Sequence, residues 1–190
     1  MAVNINADTI VGGAVVTADA SGQLALQSAG TTGLTVASGD VTVANKMTVI
    51  GTSSTAGLKI ADVLETAVVS TTAATGTIAY DVTTQVVLFY SINASANWTV
   101  NFRGSGSTSL NTLMATGESL TAAFLVTQGA TAYFNSAVQI DGTTSGVTTR
   151  WQGGTAPSAG NASGVDAYTY TIIKTANATF SVFAAQTRFA

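Results

Sequence analysis

Chemistry needs groups that ionise, attack or bind a metal, and this chain of 190 residues has few of them. It has no His and no Cys, with 6 Lys+Arg and 9 Asp+Glu. Ser-His-Asp and Cys-His machinery is therefore excluded, as are disulfides and Cys-based zinc sites. Asp62 and Glu65 would share a helix face as an acid pair, but a strand would point them to opposite sides. They are read as two solvated carboxylates. Asp141-Gly142-Thr143-Thr144 has the outline of a cation loop. It lacks the alternating Asp/Asn series and the bidentate Glu that calcium loops require, so an Asp-Gly turn is the better account. Four Asn-x-Ser/Thr tripeptides, at Asn93, Asn97, Asn161 and Asn177, are what chance yields in so Ser- and Thr-rich a chain. Ser hydroxyls abound, but no base stands ready to activate one. Trp98 and Trp151 are the candidate platforms for stacking on a sugar, although Trp more often anchors a core or an interface. No catalytic residue, metal ligand or cofactor is expected, and the chain is read as a non-enzyme.

The elements that would position these residues differ along the chain. Every Phe, Tyr and Trp lies at Tyr80 or later. The earlier stretch of Ala, Val, Thr and Gly buries little area per residue. It cannot easily offset the roughly 1–2 kcal/mol of backbone entropy that each ordered residue costs. Residues 1–61 are therefore expected to form a thin intertwined β stem, fibre- or solenoid-like, that shares one core among three chains. Residues 62–190 can build a core alone. Charge divides in parallel, with six acids and two bases up to residue 85 and three acids and four bases after it.

Beyond residue 62, short runs of period two are broken by Gly, Asn and Asp, the pattern of an all-β domain. Strands are expected at 62–70, 76–82, 85–92, 97–103, 119–128, 131–140, 146–152, 165–174 and 177–188. Trp98, Val100 and Phe102 share a face, as do Leu120, Ala122, Phe124 and Val126. Tyr168, Tyr170 and Ile172 alternate with Thr169 and Thr171. A helix over 58–68 has the spacing, but Val63, Val68, Val69 and the following Ser-Thr-Thr favour a strand. Leu110–Ala115 suits one helical turn. About nine strands point to a β-sandwich of jelly-roll type. In Trp151-Gln-Gly153-Gly154-Thr-Ala-Pro157 the two glycines permit positive φ, Pro157 stiffens a loop and Trp151 anchors it.

That segment also carries a resemblance. Together with Ser158–Ser163, Asp166-Ala-Tyr168-Thr-Tyr170-Thr-Ile-Ile173-Lys, Asn97-Trp-Thr-Val-Asn-Phe-Arg103-Gly and the ending Thr179–Ala190, it resembles a domain of bacteriophage virion structural proteins. These are the tail-fibre-like proteins of marine cyanobacterial phages. The likeness covers 62–190; many members carry long shafts, which this chain lacks. The resemblance implies a virion structural protein bound to other virion proteins; the core shared by three chains at 1–61 makes it a trimer, and its shortness favours a capsid decoration or head-fibre protein displayed on the particle. The alternative it leaves open is a tail-fibre protein that recognises host surface polysaccharide. Six scattered cations make no nucleic-acid footprint. No run of about 20 apolar residues suits a membrane span. Lys46 is the first basic residue, so no secretion signal is expected. Assembly in the host cytoplasm and residence in the virion follow.

Overall fold

The computed structural model describes residues 27–28, 31–32, 47–49, 58 and 60–190. The chain divides into two compact units, Met1–Lys59 and Ile60–Ala190. In the first, β1 (Gln27–Ser28) and β2 (Thr31–Thr32) pair antiparallel. The intertwined stem expected for 1–61 otherwise falls outside the described residues.

The second unit is built from nine strands, each overlapping a span expected from period-two alternation. They are β3 (Ala67–Ala73), β4 (Gly76–Asp81), β5 (Val87–Ile92), β6 (Trp98–Arg103), β7 (Ser119–Thr127), β8 (Asn135–Ile140), β9 (Val147–Trp151), β10 (Val165–Ala176) and β11 (Thr179–Phe189). One helical turn, α1 (Leu110–Leu113), lies between β6 and β7. Residues 60–66 are exposed and irregular, so β3 starts later than alternation suggests. Among the described residues nothing lies over them to bury their apolar side chains.

The strands form a six-stranded sheet, β3-β5-β7-β10-β11-β9, and a three-stranded one, β4-β6-β8. From β3 to β9 the chain changes sheet at every step. Successive strands of one sheet therefore run parallel, β3 to β5 to β7 in the large sheet and β4 to β6 to β8 in the small one. The hairpin β10–β11 then inserts antiparallel beside β7, and β9 pairs parallel with the far side of β11. This corrects the jelly-roll expectation, since a jelly roll is an antiparallel Greek-key arrangement. Parallel neighbours need a crossover. Here each crossover is a strand of the opposite sheet, which lets links as short as Ala74-Thr75 suffice.

The core fills the space between the sheets. Tyr80, Trp98, Val100, Phe102 and Ile140 of the small sheet face Phe124, Val126, Tyr168, Tyr170, Ile172 and Val182 of the large one, all nearly or fully buried. Trp98 meets Phe124 and Tyr168 edge-on at 5.8 and 5.7 Å, and Phe102 meets Tyr170 at 5.0 Å. Such tilted pairs set the negative face of one ring against the positive edge of another.

One end is closed by α1. Ser109 caps it by accepting from Thr112 N at 3.0 Å. The Asp141 carboxylate accepts from the Leu110 and Asn111 amides at 2.6 and 3.0 Å. The buried Lys174 ammonium donates to the Asn111 and Met114 carbonyls at 2.6 and 2.9 Å. Each charge sits at the turn end whose free backbone groups have the opposite polarity. Asp141 and Gly142 have φ of 52° and 80°, and Ile140 and Thr143 bridge across them. That is a primed two-residue turn, in line with the Asp-Gly turn expected there.

Candidate functional site

Two features of the second unit stand out from the hydroxyl-covered background, a loop pinned to a buried polar cluster and the outer face of the six-stranded sheet.

The loop follows β9. Trp151 ends this edge strand, with its ring 6.3 and 6.2 Å from those of Tyr168 and Tyr170. It is half-buried. Gln152–Gly154 then makes a tight turn in which Gly153 and Gly154 have φ of 76° and 80°. Pro157 is half-buried and lines a hollow of about 260 Å³ with Trp151, Gln152 and Gln186. A second shallow hollow of about 260 Å³ is lined by Arg150, Trp151, Thr169 and Phe183. There the Arg150 guanidinium sits 5.9 Å from the Phe183 ring centroid. Trp98, by contrast, is 1% exposed. A ring covered on both faces cannot stack on a sugar, so the expectation of a stacking platform is corrected at Trp98.

The loop is held from beneath by residues that the sequence reading passed over. Asp166 is fully buried, and its Oδ2 accepts from Gln128 Nε2 at 2.9 Å and from Asn161 N at 3.0 Å. Gln128 also donates to Tyr133 O at 2.7 Å and accepts from Tyr133 N at 2.9 Å. Gln186 and Arg188 both donate to Ala159 O, at 3.1 and 2.9 Å. A signal for this cluster was present. Gln128 continues the inward series Ala122, Phe124, Val126, and Asp166 begins the inward series Tyr168, Tyr170, Ile172. A polar residue at an inward position must find partners, because a buried group left unpaired costs about 1–3 kcal/mol.

Asp62 and Glu65 lie on exposed irregular backbone, and the Asp62 carboxylate accepts from Val63 N at 2.9 Å. No cluster of three or more potential metal ligands occurs among the described residues. No helix among them is long and apolar enough to cross a membrane. A polar hollow of about 370 Å³ is lined by Asn101, Arg103, Ser105–Ser109, Asp141 and Gly142. Its one cation, Arg103, is already paired with Asp81.

The outer faces of the two sheets differ in kind. The small sheet turns out Thr77, Ala79, Thr99, Asn101, Ala137, Gln139 and the Asp81–Arg103 pair. The large sheet turns out two central, mostly apolar rows aligned by strand register, flanked by rows that carry Ser119, Thr121, Thr127, Thr148, Thr171 and Ser181. One row is Ala67, Val87, Ala123, Thr169 and Ala185, and the other is Val69, Phe89, Leu125, Ala167 and Thr187. All are half-buried or exposed. Among the described outward positions of this sheet only Arg150, on the edge strand, carries a charge.

The core tyrosines set an alkaline limit. Burial pushes the Tyr80 phenol up to about 12, and it holds the Tyr168 and Tyr170 phenols well above their usual value. The unfolded chain ionises tyrosine near 10. Below that pH the contribution of these groups to stability is complete. Above it the unfolded state alone loses protons, so stability falls as pH rises from about 10 through about 12. Thermal melts across this range should show falling midpoints, and tyrosinate absorbance from these three should arise only with loss of the fold. Early ionisation of all five tyrosines in a folded chain would contradict the packing of the core.

No protein-family model matches the chain, and no curated protein and no solved structure is detectably similar to it.

Proposed function

We propose that this is a non-enzymatic phage virion structural protein, a trimeric capsid decoration or head-fibre protein displayed on the particle. Residues 1–61 supply the attachment stem in this reading, and the two-sheet unit is the displayed module. The observation that carries it is the contrast between its two outer faces. One is clothed in hydroxyls, amides and a single ion pair and suits solvent. The other has two central apolar rows among neutral hydroxyls, with Arg150 at its edge as the one charge among the described residues, and suits burial. A contiguous exposed apolar patch marks an interaction site more often than chance. The resemblance of 62–190 to phage virion proteins supplies the particle. A decoration protein works by burying surface across neighbouring shell subunits, so that many modest contacts act together by multivalency.

The second reading, a tail-fibre protein recognising host polysaccharide, is favoured by the half-buried Trp151, which lines two hollows. Electron microscopy of purified phage particles labelled with antibody against this protein separates the two. Label over the capsid face is the expected result. Label at the tail tip would favour the second reading, and unlabelled particles would overturn both.

A further inference from the structure

We infer that the hollow lined by Trp151, Pro157 and Gln186 is a saccharide subsite, which takes one neutral sugar ring of a surface polysaccharide. The inference deepens the second reading above and rests on it. It names the chemistry of the ligand and the residues that meet it, and it makes no use of the outer sheet faces.

The lining has the composition that a sugar needs. The hollow of about 260 Å³ is lined by Trp151, Gln152, Gly153, Thr155, Pro157 and Gln186. A pyranose ring has an apolar C–H face and a rim of hydroxyls. The indole of Trp151 and the ring of Pro157 suit the face, because both are flat and apolar. Two side-chain amides and a hydroxyl suit the rim, since each can donate and accept. None of these six residues carries a charge. A phosphate or an acidic sugar would find no counter-charge among them, and a lipid tail would leave the amides buried and unpaired. The volume lies below the roughly 300–1,000 Å³ of drug-sized pockets, so a single ring is the scale of ligand that fits.

Gln186 points to a ligand rich in hydroxyls. Its Nε2 donates to Ala159 O at 3.1 Å and to Tyr168 Oη at 3.0 Å. An amide nitrogen has two hydrogens, so both are spent and the amide is fixed in orientation. Its Oε1 accepts from no donor among the described residues. A fixed acceptor in the lining calls for a donor from the ligand, and hydroxyls are what a neutral sugar supplies.

The subsite is preorganised. Edge-on contacts with Tyr168 and Tyr170 set the Trp151 ring. Gln186 and Arg188 both hold Ala159 O, which fixes the loop two residues after Pro157. A site that is already ordered pays little entropy on binding. One ring alone binds weakly, and many copies on one particle raise the avidity by about 10²–10⁴ through multivalency.

The purified full-length protein is applied to an array of immobilised oligosaccharides and Pro-rich peptides. The saccharides are neutral (hexoses, deoxyhexoses, N-acetylhexosamines) or acidic (uronic acids, sialic acid). Binding to neutral saccharides is the expected result, and it should change less than about twofold between roughly 50 and 500 mM salt, because no ion pair takes part. Trp151→Ala should weaken it by about tenfold or more and Trp151→Phe by about threefold, with folding checked by near-UV circular dichroism. Gln152 is exposed, so Gln152→Ala leaves the core untouched and should still weaken binding by about threefold. Arg150→Gln, in the neighbouring hollow, should leave binding unchanged. Saccharide binding that prefers acidic sugars, that needs Arg150, or that survives Trp151→Ala in a folded protein would overturn the inference alone. Binding to no saccharide, whether or not the Pro-rich peptides are captured, would overturn the second reading with it.

Discussion

Trp98→Ala is expected to lower the unfolding free energy by about 3–5 kcal/mol, the usual cost of removing a large aromatic from a packed core. The side chain is 1% exposed and projects from the small sheet against Phe124 and Tyr168 of the large one. Its loss leaves a cavity across the sandwich that neither sheet can close without breaking strand pairing. Trp98→Phe should cost clearly less. The indole Nε1 is buried without a partner, so the smaller ring gives up volume but also removes an uncompensated desolvation penalty. Urea unfolding monitored by circular dichroism checks both variants. A Trp98→Ala protein of wild-type stability that had lost binding to host polysaccharide would overturn the core assignment and restore Trp98 as a sugar platform. Trp151→Ala is the companion variant. Its ring is half-buried on an edge strand, so it should cost less than Trp98→Ala and still leave a folded protein in which sugar binding can be measured.

Gly160→Ala should cost about 3 kcal/mol or more and lower the melting temperature by roughly 10 °C. A β-carbon at this position would lie 2.6 Å from Asp166 Oδ2 and 2.8 Å from Gln128 Nε2, and closer still to the Tyr133 carbonyl oxygen. None of these can retreat freely. The Tyr133 carbonyl and the Asp166 carboxylate are both engaged by Gln128, and Asp166 also holds the Asn161 amide. Moving the loop outward would break the Asn161 bond and leave a buried carboxylate with one fewer donor. Gly153→Ala is a control on the same loop. A β-carbon there meets nothing within 4 Å, so only the strain of φ 76° remains, and the cost should stay near 1 kcal/mol. Equal melting temperatures for the two variants would mean that the loop is not pinned through Gly160.

Alternation of side chains made the strands legible. Trp98, Val100 and Phe102 turn inward together, as do Tyr168, Tyr170 and Ile172, because period two follows from the pleat of a single strand. The turn at Asp141-Gly142 and the one-turn helix at Leu110 were legible for the same local reason. Pairing was not. Whether a strand's neighbour runs parallel or antiparallel leaves its inward and outward sets unchanged, so the jelly-roll expectation and the sheet-switching arrangement share one sequence pattern. Ala123 and Leu125 were the overlooked clue. Apolar residues on the outward side of β7 break simple alternation and mark a strand that calls for cover on both faces.

The cluster under the loop divides in the same way. Asp166 and Gln128 were legible as polar residues at inward positions. Their pairing was not, because Gln128 and Tyr133 come from one part of the chain and Gly160 and Asp166 from another. The sequence by itself determined the all-β character, the strand spans and the absence of His and Cys chemistry, since these depend on residue type and on spacing along one strand. Only the tertiary structure decided which strands are neighbours, that Trp98 is buried while Trp151 lies partly open, and that apolar residues of several strands align in rows on the outer face of the large sheet. Those outcomes depend on which segments meet in space, and the free energy of packing two sheets is a property of both together.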